Sequence, residues 1–177
     1  MNKELQDKLF EMYPKIFRQK DLPMQQTAMC WGITCGDGWY NIINTLCGQI
    51  QNHLEYNMKD NDGTIVIEAT QVKEKYGSLR FYHTGGDEFI RGLCWMAEGL
   101  SCCTCEECGA PGSQNSKGWI HTLCEQCRNN IAEIRKKSVE DAHQKITETH
   151  KSAFQQLDDD GTDLNQVPNI NIAGEKI

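Results

Sequence analysis

"TIVIEATQVKEKYGSLRFYH", residues 64–83, decides the fold class. Ile65 to Val72 and Leu79 to Tyr82 are rich in β-branched and aromatic residues, which suit a pleated, half-buried surface. "KEKYGS" between them holds Gly77, suited to the turn of a hairpin. No other stretch carries so strong a β signal, and the segments around it read as helices. A lone hairpin is marginal in water and must pack on helices or gain strands. The expectation is α+β, with the hairpin over 64–83 resting one face on the helices and "CWGIT" (30–34) as a candidate third strand.

Working outward, Trp39, Ile43, Leu46, Cys47, Ile50 and Leu54 recur at helical spacing and predict a helix over 39–56, closed by the turn residues of "NMKDNDG". Before it, Leu5, Leu9, Met12, Tyr13, Ile16 and Phe17 predict an amphipathic helix over 3–18, with Pro14 placed to break or restart it. "KDLPMQQ" reads as a linker, and "AMCWGITCGDGWY" as an extended segment running into a glycine-rich turn. After the hairpin, Asp87 is a candidate N-cap for a helix over 87–101, with Ile90, Leu93, Cys94, Ala97 and Leu100 on one face. Ile131, Ile134, Val139, Ala142, Ile146, Ala153 and Leu157 sustain a sparse stripe of about 3.7 residues per turn, predicting a long helix over 128–157. Such a thin seam needs a cover, and the expectation is pairing with a second chain or another protein. The organisation expected is an α+β domain (1–101), a zinc module (102–137), a helical extension (138–157) and an acidic disordered tail (158–177).

The chain has 177 residues and a formal charge of −7. Residues 1–127 carry eleven Lys and Arg against sixteen Asp and Glu, residues 128–157 six against four, and residues 158–177 one against five. That balance argues against a protein that coats nucleic acid through many phosphate contacts. No stretch reaches the roughly eighteen apolar residues of a membrane span, and "MNKELQDKLFEMYPKIF" has no apolar signal segment. The expected compartment is a reducing cytoplasm, where ten cysteines serve as free thiols or metal ligands.

Four of them form the chemical core of the chain. Cys105-x2-Cys108 and Cys124-x2-Cys127 have the spacing of a structural zinc site. Two residues between thiolates let a tight turn aim both sulfurs at one ion, and the second pair precedes a helix whose positive end favours thiolates. Four thiolates also saturate a tetrahedral ion, so one Zn²⁺ here would staple the fold rather than catalyse. Cys102, Cys103 and His121 lie close enough in sequence to compete for the ion, but the two pairs already supply four ligands. Cys30, Cys35, Cys47 and Cys94 sit in apolar surroundings as core fillers.

Weaker candidates follow. "YHTGGDE" sets His83, Asp87 and Glu88 around a Gly-Gly turn, where capping is a simpler account than catalysis. "LDDDGTD" places Asp158, Asp160 and Gly161 as in a calcium loop, but Gln156 and Val167 occupy positions that need acids. The tip "GAPGSQNSKGW" offers only Lys117 and Trp119 for reading nucleic acid. No nucleophile–base motif occurs, and an enzyme is not expected.

From "CEECG" to about residue 137, the knuckle, hairpin and CxxC-helix order resembles a treble-clef zinc finger. "QVKEKYGSLRFYHTGGDEFIRG", "WGITCGDGWYNIINTLC" and the paired CxxC motifs resemble uncharacterised small bacteriophage and prophage proteins, over residues 3–127. That resemblance implies a cytoplasmic accessory factor in a bacterial host, binding a host or phage protein and modulating or inhibiting it, including host defence systems. The alternative is a nucleic-acid-associated zinc-finger regulator. A homo-oligomer through the C-terminal helix is a further expectation.

Overall fold

The computed structural model describes residues 1–57 and 66–159, with backbone only for 57 and 153–159. The chain divides into two compact units, Met1–Asn129 and Asn130–Ile177. The class is α+β, as the hairpin and its helical surroundings require.

In the first unit, α1 (Lys3–Met12) is capped by Asn2, whose side chain accepts from the Leu5 amide at 3.0 Å. It ends well short of residue 18. Tyr13 still donates to Leu9 O at 3.0 Å, but Pro14 has no N–H to continue the ladder and disfavours helical backbone at the preceding residue. Ile16 and Phe17 therefore enter the core from turns rather than from the helix.

A three-stranded sheet follows the order β1 (Ile33–Thr34), β2 (Ile67–Lys75), β3 (Ser78–Gly85). "CWGIT" does supply the third strand: Ile33 pairs with Val72 in parallel register. The β2–β3 hairpin is antiparallel, from Ile67 opposite Gly85 to Lys75 opposite Ser78. Its two-residue loop is Tyr76 and Gly77, both at positive φ (53° and 74°), the geometry whose twist matches the flanking strands. A bulge at Thr70 resolves a conflict in the pattern. Ile67, Ala69 and Val72 are all buried although strict alternation would turn Val72 outward. The unpaired Thr70 carbonyl accepts instead from the Ala28 amide and the Thr27 hydroxyl, both at 3.1 Å.

Helices α2 (Tyr40–Asn57) and α3 (Glu88–Ser101) lie close to the expected spans. With β2 and β3 they enclose a core of Leu9, Phe17, Met29, Trp39, Ile43, Cys47, Ile50, Val72, Leu79 and Ile90. Leu100 departs from expectation. It lies about 60° round the helix from Ala97 and about 80° from Ile90, at the edge of the core-facing side, and is exposed. The turn after α2 and the beginning of the 64–83 hairpin fall outside the described residues.

Past α3 come β4 (Ser113–Gln114) and β5 (Thr122–Leu123), a short antiparallel pair, then α4 (Glu125–Asp159). The first turn of α4 belongs to the first unit. The second unit, as far as it is described, is the remainder of that helix, with Ile134, Val139 and Ile146 exposed. The backbone of Leu157, Asp158 and Asp159 closes α4 as helix; the side chains of Ala153 and Leu157, and the calcium-like loop and acidic tail from residue 160 onward, lie outside the described residues.

Candidate metal centre

Cys105 and Cys108 sit in a turn that doubles back on itself. The Gly109 amide donates to Cys105 O at 2.9 Å, and the Cys105 amide donates to Ala110 O at 2.7 Å. Gly109 has φ +76°, a conformation costly for a residue with a Cβ. Cys124 directly precedes α4 and acts as its cap: the Cys127 amide donates to Cys124 Sγ at 3.4 Å. β4 and β5 tie the two turns together.

The four sulfurs of Cys105, Cys108, Cys124 and Cys127 lie within 4.8 Å of one another, within metal-binding distance. Cys108 Sγ and Cys124 Sγ are 3.7 Å apart. A tetrahedral ion with bonds of about 2.3 Å to sulfur separates its ligands by about 3.8 Å, so this edge already has the right length. It is far too long for a disulfide bond of about 2.05 Å, and none of the ten cysteines is in a disulfide. The donor set fits a thiophilic divalent ion. The Cys127 N–H pulls the Cys124 thiol down to about 7. Donation to Cys124 and Cys108 pushes Cys127 up.

The cluster is seated on the rest of the unit by the glycine-rich turn "CGDGW" (35–39). Glu106, inside the first CxxC, is buried. Its Oε1 accepts from the Gly36 amide at 2.9 Å, and its carbonyl accepts from the Gly38 amide at 2.7 Å. A Cβ on Gly36 would collide with Glu106, and one on Gly38 with Cys105 O and Gly109 N. Trp39, fully buried, donates from Nε1 to Thr104 O at 2.8 Å. Burial pushes the Glu106 carboxyl up despite the Gly36 hydrogen bond. Asp37 between the glycines accepts from the Asn2 amide and side chain, both at 2.6 Å, so the same loop also fixes the start of α1. A second seat is the hairpin loop: Thr122 Oγ1 and Gln114 Nε2 donate to Gly77 O. The only signal in the sequence was two glycines spaced around an acid just before a tryptophan.

The other candidates are placed as follows. Cys102 and Cys103 lie outside the four-sulfur group, each donating its thiol to a carbonyl of α3, Glu98 O at 3.4 Å and Leu100 O at 3.2 Å. His121 contributes its backbone to the module hairpin through Asn115. His83, Asp87 and Glu88 do not converge. His83 Nδ1 is 3.0 Å from Gly85 O, and Glu88 pairs with Arg91. Asp87 caps α3 through the Ile90 amide at 3.0 Å, and its other oxygen lies 2.7 Å from His53 Nε2. His53, which the sequence reading did not single out, stacks on Phe89 at 4.3 Å. Its hydrogen bond holds the Asp87 carboxyl below the usual carboxylate range.

No family model, curated protein or solved structure matches the chain. Among the described residues no helix is long and apolar enough to cross a membrane.

Proposed function

We propose that Cys105, Cys108, Cys124 and Cys127 hold one structural Zn²⁺, and that the chain is a non-enzymatic phage accessory protein. In this reading it acts in the bacterial host cytoplasm by binding, and thereby modulating or inhibiting, a host protein such as a defence-system component. The observation that carries the metal assignment is the four-sulfur cluster with its 3.7 Å edge. Four thiolates complete a tetrahedral shell, which leaves no position for a water or a substrate and makes the ion a source of folding energy. Support for a binding role comes from α4, where Ile134, Val139 and Ile146 are exposed on a helix whose opposite positions carry Lys and Glu. Apolar side chains held in water along one helix suit a helix-in-groove contact. The phage source rests on the sequence resemblance alone.

Two measurements test this. Elemental analysis of protein purified without added metal should give one zinc per chain; none would remove the metal assignment. Tagged full-length protein should capture a host protein from infected cells. Binding of that protein, once purified, should be saturable, weakly dependent on salt, and lost in an Ile134→Lys/Val139→Lys/Ile146→Lys variant. Binding that collapses with salt and transfers to DNA or RNA would favour the zinc-finger regulator instead.

A further inference from the structure

The outer face of α3 is apolar and exposed. Phe89 is 52% exposed, Trp95 75%, Met96 54% and Leu100 47%. At 3.6 residues per turn these four and Gly92 and Gly99 fall within an arc of about 140°, one continuous stripe from Phe89 to Leu100. None of the charged residues between those ends lies in the arc, and their charges are already answered. Arg91 pairs with Glu88, and Glu98 pairs with Arg80 at 2.5 Å.

The glycines are the second observation. Each weakens an exposed helix relative to alanine. Nothing lies within 4 Å of where a Cβ would stand on Gly92 or Gly99. Among the described residues, packing within the chain therefore gives no reason for them. Bare backbone at two positions seven residues apart on one face has a use when another helix approaches closely.

We propose that this face is the interface of a homodimer, formed by two copies of α3 packed antiparallel. "GLCWMAEG" (92–99) is near-palindromic in side-chain size, with small residues at both ends and Trp95 and Met96 in the middle. A two-fold axis between Trp95 and Met96 sets Gly92 against the second copy's Gly99. Trp95 then flanks its own counterpart on one side, and Met96 with Leu100 does so on the other, as an isologous contact requires. The four large side chains leave on the order of 450 Å² exposed per copy. Two copies together, with the glycine backbone, reach the roughly 1,000 Å² that a specific interface needs. A groove of about 230 Å³ between α2 and α3 extends the same surface. Charge points the same way. Chains of net charge −7 repel one another, so self-association needs a contact face whose charges are internally cancelled, and this one is. A strongly charged partner would find no counter-charge here.

The test is the mass of full-length, metal-loaded protein by sedimentation over a concentration series. Wild type is expected to show a monomer–dimer equilibrium. Gly92→Leu/Gly99→Leu should weaken the dimer by about 30-fold or more, the scale of losing an interface hot spot. Both positions are open, so this variant should keep wild-type circular dichroism and zinc content. Trp95→Lys provides a second variant with the same expectation. Ile134→Lys/Val139→Lys on α4 should leave the dimer constant unchanged. The proposal is overturned by a wild type that stays monomeric at the highest soluble concentration. It is also overturned by α3 variants that dimerise as wild type does, or by a dimer that only the α4 variant dissolves. A chain that gains mass only on phosphatidylcholine vesicles would reassign the face to lipid and overturn it equally.

Discussion

Gly38→Ala is the sharpest probe of how the cysteine module is held. Gly38 lies in a 3-10 turn, Asp37–Trp39, whose backbone any residue adopts, so alanine meets no conformational penalty there. The obstacle is space: the added methyl would stand on Cys105 O, Gly109 N and Glu106 O, all backbone atoms of the first CxxC turn. Overpacking of this kind costs about 1–3 kcal/mol. Pushing the turn away also removes the 2.7 Å bond from the Gly38 amide to Glu106 O, for about 1 kcal/mol more. The sum, about 2–4 kcal/mol, corresponds to about a 30- to 700-fold loss of metal affinity if docking and metal binding are fully coupled. Competition against a chromophoric chelator measures it directly, and the far-UV spectrum checks that the helices persist. A variant with wild-type affinity and wild-type unfolding midpoint would show that the CGDGW loop does not support the metal-bearing turn.

Metal removal by a chelator, or Cys→Ser at any one of the four ligands, should expose Trp39, because its Nε1 bond to Thr104 O fixes it under the module; a red-shifted, quenchable tryptophan component is the expected signal. Thiol alkylation of the folded protein near pH 8 should mark exposed Cys103 quickly and spare Cys35, Cys47 and Cys94; burial pushes Cys35 up to about 12 and Cys94 up to about 11, and Cys47 also upward. Asp87→Asn keeps the cap on α3 but removes the charge facing His53. Because the Asp87 carboxyl is held low in the folded protein, its contribution is present above the ordinary carboxylate range and lost as pH falls through the depressed value. The gap in urea midpoint between wild type and variant should therefore close in acid. A gap independent of pH would mean that the His53 contact is not electrostatic.

The parts of this fold that could be read from the sequence are those whose signal is local. β-branched residues around Gly77 specify the hairpin, a 3.6-residue stripe specifies α2, and two CxxC pairs specify their own cluster. The parts that escaped depend on residues far apart in the chain. Nothing near Gly36 or Gly38 announces that Cys105 to Gly109 will press against them. The Thr70 bulge follows from a demand at Thr27 and Ala28. Periodicity places Leu100 within about a quarter turn of Ile90, but it cannot say where the neighbouring helix stops covering that side. Pro14 was visible as a breaker; that Ile16 and Phe17 stay in the core without a helix was not.

The seat of the module has a consequence for the order in which the molecule assembles. Cys108 and Cys124 are 16 residues apart, whereas Gly36 meets Glu106 across 70 residues and Trp39 meets Thr104 across 65. A short loop closes on the scale of ~10–100 ns, and collapse of a domain-sized chain takes up to ~100 µs. The cysteine loop can thus gather an ion while most of the chain is still unfolded, and docking onto the glycine loop comes afterwards as a slower, long-range search. In a refolding experiment, ion capture and the burial of Trp39 should then appear as two phases. Saturating metal should speed the first and leave the second at a limiting rate.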